Sequence, residues 1–496
     1  MAPPAYRNGM FLLICVFAFF IRLLVSLHSY SGAQTPPHFG DYEAQRHWME
    51  ITLHTPVQEW YVNTSHNDLG YWGLDYPPLT AYQSFFHGLA LNALEPDSVA
   101  LHTSRGYETP SSKLLMRWTV LTSDAGIFFP AAFGFVIVFY AGKKFEELAW
   151  ALSVILLQPA LILIDHGHFQ YNCISLGLTL GAVAAIGLQK DYLASVLFCL
   201  ALNHKQMSAY YAPAFFAYLF GKSMRRKRPV LEVAKLGVIV IGTFMICWGP
   251  FLHSKKAVMG VLSRLVPLQR GIFEDYVANF WCASSLVIKW KQFCSTSLLA
   301  RLALVATSLS FLPSVVHQIR APSYRGFLFA LFNTSLSFYL FSYQVHEKSI
   351  LLPLLPASLL ILEDFMLYRG IVFCAMFSMF PLLRRDGLVV PFIATFALHL
   401  LLLRFPFLQR KPSDAMRRQH FLSLKHLSNA LFIMGLLLNL AYMFVKPPPR
   451  YPFIFEAVNA MLVFGCLVLL GVYSNLQQLA ASSSNQNMNL DKVKAQ

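Results

Sequence analysis

What most constrains this chain is a succession of apolar runs, most of them about 17–25 residues long, the length a helix needs to cross roughly 30 Å of hydrocarbon. Lipid offers backbone N–H and C=O groups no partners, so such runs must form helices or a closed barrel. Their apolar character is continuous rather than alternating, and that selects helices. The runs fall near 10–28, 119–141, 147–164, 172–188, 191–203, 207–220, 230–250, 298–316, 325–342, 350–362, 370–383, 388–404, 424–446 and 452–473. The expected fold is an all-α polytopic membrane protein of about 14 transmembrane helices. Composition agrees, with 56% hydrophobic and 13% charged residues, where a soluble domain is about one quarter charged.

The net charge of +15 suggests nucleic acid until its distribution is followed. Residues 29–118 carry nine acids against four bases, which leaves the rest of the chain at +20. Much of that excess lies in short connections: Lys143-Lys144, Arg225-Arg226-Lys227-Arg228 and Arg417-Arg418. This is the positive-inside pattern of a membrane protein, not the basic face of a soluble nucleic-acid binder. It puts both termini in the cytosol and residues 29–118 in the lumen, provided that 276–290 does not cross. Arg384-Arg385 is the basic pair left on the lumenal side, an exception or a functional feature. The first run contains Arg22 and lacks a small-residue cleavage pattern, so it reads as a retained span.

Residues Lys492-Val493-Lys494-Ala495-Gln496 fit the Lys-x-Lys-x-x retrieval pattern of endoplasmic reticulum membrane proteins. In the first loop Asn63-Thr64-Ser65 is a glycosylation acceptor, whereas Asn333-Thr334-Ser335 lies in a span and is out of reach. The eight cysteines lack metal-ligand spacing and sit mostly in apolar runs; Cys282 and Cys294 are the two placed near a lumenal surface, where a disulfide is conceivable but nothing in the spacing calls for one. The expected organisation is an amino-terminal membrane module, 1–250, carrying the loop 29–118. A second module, 251–496, has lumenal loops 251–297 and 343–349 and a cytosolic tail 474–496.

The first loop is more than a linker. Gly40-Asp41-Tyr42-Glu43-Ala44-Gln45-Arg46-His47-Trp48 and Tyr71-Trp72-Gly73-Leu74-Asp75-Tyr76-Pro77-Pro78 interleave acids with aromatics. That chemistry suits sugars, whose ring faces stack on Trp and Tyr while hydroxyls bond carboxylates. Pro77-Pro78 stiffens the backbone after Asp75, and 79–94 reads as an amphipathic helix on the membrane surface. Asp41 is then a catalytic acid or base, a helix N-cap, or a solvated loop acid. Further polar clusters recur at lumenal run ends: Asp165-His166-Gly167-His168, Asn203-His204-Lys205-Gln206, Arg270-Gly271-Ile272-Phe273-Glu274-Asp275 and Val345-His346-Glu347-Lys348. An ionisable group at membrane depth costs roughly 2.5–3.5 kcal/mol, so several on one side suggest a shared cavity. Asp165-His166 and Asn203 alone read as satisfied helix ends. No metal-ligand spacing and no phosphate-binding Gly-rich loop is present. Architecture alone allows a transporter or a lipid-sugar transferase, and the long acidic loop favours the transferase.

At these motifs the chain resembles a known family. The two loop segments, with Leu79-Thr80-Ala81-Tyr82 and His102-Thr103-Ser104-Arg105-Gly106-Tyr107-Glu108, are similar to the dolichyl-phosphate-glucose-dependent α-1,3-glucosyltransferases of lipid-linked oligosaccharide assembly. Asn203-His204-Lys205-Gln206-Met207, Phe273-Glu274-Asp275 and Gln344-Val345-His346-Glu347-Lys348-Ser349 continue the match in order. The resemblance is to the member adding the first glucose to Man9GlcNAc2-PP-dolichol. The sister enzyme for the second glucose has Asp-Phe-Glu in place of Asp41-Tyr42-Glu43 and lacks the Leu-Thr-Ala-Tyr.

The resemblance implies a GT-C fold in the endoplasmic reticulum membrane and an inverting transfer from dolichyl phosphate glucose. Asp41 is the expected base, taking the proton of an acceptor mannose 3-hydroxyl. Glu43, Asp75, Tyr76, Glu274, Asp275, His346 and Glu347 are expected to bind the sugars. His346, Lys348, Arg270 and Lys205 are candidates to hold the phosphate, so no cofactor and no metal is expected. The expected partners are the two dolichyl lipids and the bilayer, with no nucleic acid. Asp41 and Asp75 would form one half of the site, and Glu274, Asp275, His346 and Glu347 the other.

Overall fold

A computed structural model describes residues 4–265, 276–404 and 415–494, and among these every regular element is a helix. Seven are long and apolar enough to cross a membrane unaided: Tyr6–Ser26, Pro110–Phe139, Phe145–Phe169, Pro229–Phe251, Thr296–Arg320, Phe365–Arg385 and Ile454–Ala480. The chain is thus a polytopic membrane protein. Asn172–Gly187, Val389–Leu402 and Ser428–Phe444 are shorter apolar helices, and other expected runs are broken into pieces. The run 207–220, for instance, opens with a 3₁₀ turn, Gln206–Tyr211, before the helix Ala212–Ser223. Helices this short survive at membrane depth only when protein, not lipid, surrounds their ends. The stretch 276–290 contains the six-residue helix Phe280–Ser285 and the start of a four-residue one, Trp290–Phe293; at about 1.5 Å per residue both are far too short to cross.

The chain folds as two compact units that interleave in sequence: Met1–Ser208 with Ala234–Gln269 and Leu382–Thr395, and Ala209–Val233 with Arg270–Pro381 and Phe396–Gln496. In the first unit, α1 spans Pro4–Ser26, α2 Gly40–His54 and α3 Pro78–Leu94. Then α4, Pro110–Ser123, continues through a π-helical turn, Asp124–Phe128, into α5, Phe129–Phe139. Next come α6, Phe145–Leu156, and α7, Pro159–Ile162, which widens into a second π turn over Leu163–Phe169. The unit continues with α8, Asn172–Gly187, and α9, Asp191–His204.

The two π turns meet at a buried charge cluster. Arg22 of α1 donates from Nε to Asp124 Oδ2 at 2.5 Å, and His166 Nε2 lies 2.8 Å from the same oxygen. Arg22 also donates to the carbonyls of Ala18 and Leu156 and lies over the Phe129 ring. A buried charge persists only when paired and hydrogen-bonded. Arg22 therefore binds α1 to the neighbouring spans.

The first loop has its own core. Trp48 and Ile51 of α2 pack with Trp60, Tyr61, Leu74 and Ala81, and Phe251 and Val261 close the cluster. Arg264 fastens this last segment by donating to the Leu74 and Gly73 carbonyls at 2.9 and 2.7 Å. Pro78 is the first residue of α3, where its missing N–H costs nothing. This helix turns Thr80, Ala81, Ser84 and Gly88 inward, because a Cβ at Gly88 would meet the Met49 carbonyl oxygen at 3.0 Å. Phe86, Leu89 and Leu94 point outward and are exposed. Such a face, apolar side out, is what an interfacial helix presents to lipid.

In the second unit, Tyr324–Phe341 packs between Thr296–Arg320 and Ile454–Lys494. The last helix runs past the expected span end at 473, because Gln478 is buried and bonded to Ser314 and Asn333. Asn333 is therefore sealed in the helix bundle, whereas Asn63 in the first loop is exposed. All eight cysteines are free thiols, so Cys282 and Cys294 do not pair.

Candidate active site

Asp41 owes its position to two glycines. Gly32 and Gly40 both have positive φ, +76° and +70°, and their backbones touch. A Cβ on Gly32 would fall 1.9 Å from the Phe39 carbonyl oxygen, and one on Gly40 would fall 2.8 Å from Gly32 N. Only glycine allows this approach. It starts α2 against the segment that leaves α1, with Phe39 at its N-cap and Asp41 in its first turn. Gly40→Ala is expected to displace that turn by about 1 Å and lower transfer about 100-fold, with insertion intact, as assays on the purified variant would register.

Asp41 is not the helix cap. Its Oδ2 lies 3.0 Å from His168 Nε2 and accepts from Gln170 Nε2 at 2.5 Å. His168 lies in the π turn that ends Phe145–Phe169 and Gln170 directly follows it, and between them Phe169 adopts φ +87°. That conformation is strained for a non-glycine residue; it turns the side chains before and after Phe169 toward one oxygen. Behind them Lys205 donates to Gln170 Oε1 at 2.7 Å and to Asn172 Oδ1 at 2.6 Å. Asn172 in turn donates to Asp165 Oδ1 at 2.8 Å, and the Cys173 N–H to Asp165 Oδ2 at 2.6 Å. On the other side His168 Nδ1 lies 2.5 Å from Asp386 Oδ2. The two carboxylates sit on opposite ring nitrogens, so these groups form a line rather than a metal cage. Asp41 is the member that reaches solvent, its side chain 25% exposed against 2% for His168 and 4% for Asp386.

Tyr76 lies against this network. Burial, then the negative charges of Asp75 and Asp41, push its phenol well above its ordinary value, and Gln170 hydrogen-bonds it. The Lys205 ammonium sits 4.9 Å over its ring. Asp75 is half-buried, and its carbonyl accepts from Gln206 at 3.0 Å. A narrow crevice opens beside Lys205, walled by Gln45, Thr80, Gln83, Tyr171 and His204.

Asp41, Asp75, Tyr76 and Lys205 are thus brought together. Lys205 is buried behind the carboxylate, where it supports Gln170. Glu43 is buried too: both its oxygens accept from Arg46 at 2.7 Å, and Tyr71 donates to it at 2.9 Å. Arg46 also reaches Glu50 at 2.8 Å, Ser104 at 2.5 Å and the Ser98 carbonyl. Burial works against charge on Glu50, but hydrogen bonds and charge from His47 and Arg46 prevail and pull it down to about 2. Glu43 is committed to this ionic core of the loop. In the second unit His346, Glu347 and Lys348 form the turn before Leu351–Leu359, with Glu347 buried and its charge felt at Cys282 and Tyr339. Arg270, Glu274 and Asp275 lie outside the described residues.

His168 stood in one of the polar clusters without a role assigned to it, and Gln170 and Asp386 belonged to none of them. The run His166-Gly167-His168-Phe169-Gln170 after an apolar span was a signal for the first two. The Arg384-Arg385 pair stood next to the third.

The sequence matches the ALG6, ALG8 glycosyltransferase family over residues 18–473. The chain belongs to that family. It is 52% identical to a probable dolichyl pyrophosphate Man9GlcNAc2 alpha-1,3-glucosyltransferase of Arabidopsis thaliana, over 95% of this chain and 90% of that one. Its identity to the dolichyl pyrophosphate Man9GlcNAc2 alpha-1,3-glucosyltransferase of Gallus gallus is 42%, over 94% and 96% of the two chains. The protein of that name in Saccharomyces cerevisiae is 38% identical, over 95% and 92%. Membership in this family makes the chain a glycosyltransferase, and the site on the first loop is read in that light.

Proposed function

We propose that this enzyme transfers the first glucose from dolichyl phosphate glucose to Man9GlcNAc2-PP-dolichol, forming an α-1,3 bond at the lumenal face of the endoplasmic reticulum membrane. One observation carries the chemical part of this reading: Asp41 is a solvent-reaching carboxylate with one oxygen held by His168 and Gln170. A carboxylate held in this way can present itself to an acceptor hydroxyl in one orientation. The relatives named for the Man9GlcNAc2 reaction support the choice of acceptor.

In this mechanism the acceptor 3-oxygen attacks glucose C1 from the face opposite the phosphate. The C1–O bond to phosphate breaks and its electron pair leaves with dolichyl phosphate, while the hydroxyl proton passes to Asp41. A carboxylate with an ordinary pKa near ~4 is a weak base toward an alcohol. Proton transfer therefore accompanies a late, oxocarbenium-like displacement. The leaving phosphate needs no general acid, only positive charge, for which His346, Lys348 and Arg270 are the proposed ligands. Lys205 takes the positioning role that its buried amide contacts support. The reaction is proposed to need no metal, so transfer is expected to persist in excess chelator.

Purified protein in detergent, given dolichyl phosphate glucose and either Man9GlcNAc2-PP-dolichol or its monoglucosylated product, tests the assignment. Glucose is expected on the first acceptor and not on the second. Transfer to the monoglucosylated lipid would make this the sister activity, and transfer to neither would defeat the reading.

A further inference from the structure

Asp386 belongs to none of the loop motifs and stands 345 positions from Asp41 in the chain, yet it is joined to Asp41 through one imidazole. The segment carrying it, Leu382–Thr395, returns to the first unit late in the sequence. Its docking has a visible cause. Gly167 leaves room for the Leu388 side chain, since a Cβ there would fall 2.9 Å from Leu388 Cδ1. Gly387 follows Asp386 with φ +75°, turning the chain directly after the carboxylate. The Ser31 N–H donates to the His168 carbonyl at 3.0 Å, so the residue bearing the imidazole is pinned from the α1 side as well.

The protons of this line can be counted from geometry. A neutral imidazole has one N–H and one bare lone pair. A bare lone pair facing a carboxylate lone pair is repulsive at either 2.5 or 3.0 Å. Each contact therefore holds one hydrogen. With Asp41 ionised, as its role as base requires, either the ring is an imidazolium between two carboxylates or a proton on Asp386 is given to Nδ1. In both arrangements Nε2 bears hydrogen and donates to Asp41, and in both Asp386 enforces it. Without Asp386 the ring is free to place its single proton on Nδ1 and turn a lone pair toward Asp41.

We propose that His168 and Asp386 are positioning residues for the transfer: Asp386 fixes the hydrogen on His168 Nε2, and that N–H holds Oδ2 of Asp41 while the carboxylate receives the acceptor proton. The inference rests on the reading of Asp41 as base. It goes further by making the base a three-residue assembly whose rear member comes from a distant segment.

The test is steady-state transfer by the purified full-length protein with five variants: Asp41→Asn, Asp386→Leu, Asp386→Asn, His168→Leu and His168→Gln. Asp386→Leu and His168→Leu are expected to lower kcat about 10- to 100-fold, the range for outer-shell partners of functional groups. KM for both lipids should stay within about threefold of the wild-type value, since uniform binding is untouched. Asp386→Asn, whose amide can still donate to Nδ1 and leave the hydrogen on Nε2, should recover most of the rate lost in Asp386→Leu. His168→Gln, whose amide N–H can still reach Asp41, should do the same for His168→Leu. A wild-type kcat in Asp386→Leu and His168→Leu would overturn the inference, as would a loss confined to KM or equal losses in the polar and Leu variants. The two Asp386 variants report even if His168→Leu fails to fold. If Asp41→Asn is dead while Asp386→Leu and His168→Leu are fully active, the arm fails and the base stands. If Asp41→Asn is active, the base reading itself fails.

Discussion

Asp41→Asn is expected to lower glucosyl transfer by ~10²–10⁴, the usual worth of a positioned general base, without loss of expression or membrane insertion. The substitution is isosteric, and the carboxamide oxygen still accepts from His168 and Gln170 if it is turned toward them. What is lost is the ability to take a proton. Because the carboxylate lies at the surface of its network rather than within it, the folded protein should be nearly as stable as the wild type. The comparison to make is kcat for transfer alongside unfolding temperature in detergent. A variant that unfolds at the wild-type temperature but keeps substantial activity would move the base to Asp75, Glu274 or Asp275.

Arg46→Met should have the largest structural effect in the loop. The guanidinium is fully buried, satisfies both oxygens of Glu43 and one of Glu50, and reaches Ser104. Removing it strands two buried carboxylates, and breaking one such pair costs about 3–5 kcal/mol. Arg46→Lys should rescue little, since a single ammonium cannot reproduce the planar fork. The loop should then become the first site of limited proteolysis, and activity should fall because Asp41 begins the same helix. The pH dependence follows from Glu50, whose value falls from an ordinary 4.5 to about 2 in the folded protein. Its contribution is fully present above about 4.5 and is lost as the pH falls toward about 2. Loop protection in the wild type should therefore hold at neutral pH and weaken with acid. In Arg46→Met much of it should be absent already at neutrality.

The polytopic helical fold was legible because continuous apolar runs admit little else. The segmentation of several runs was less so, since whether a half-helix ends in protein or in lipid depends on neighbours distant in sequence. Asp41 could be singled out from its glycine, its aromatic neighbour and its place above a span. The reason for that glycine, a backbone contact with Gly32, could not, because it joins two turns that sequence spacing does not relate. Glu43 was read from its sequence neighbours rather than from its helical spacing. An acid beside an aromatic suggested sugar binding, although Glu43, Arg46 and Glu50 stand at i, i+3 and i+7, a spacing that brings all three to one side of a helix. That spacing was available to a closer reading. The pairing of His168 with Asp41 and Asp386 was not, because a π turn, a positive φ at Phe169 and a returning segment together make it, and none of these has a sequence period.

The most direct measurement is the distance from Asp41 to the acceptor in a structure of the enzyme with a non-transferable donor and Man9GlcNAc2-PP-dolichol. The account predicts an Asp41 carboxylate oxygen within hydrogen-bond reach, about 2.6–3.2 Å, of the 3-hydroxyl of the terminal mannose, with Oδ2 still held by His168 and Gln170. That hydroxyl resting on Asp75, Glu274 or Asp275, with Asp41 out of reach, would contradict it.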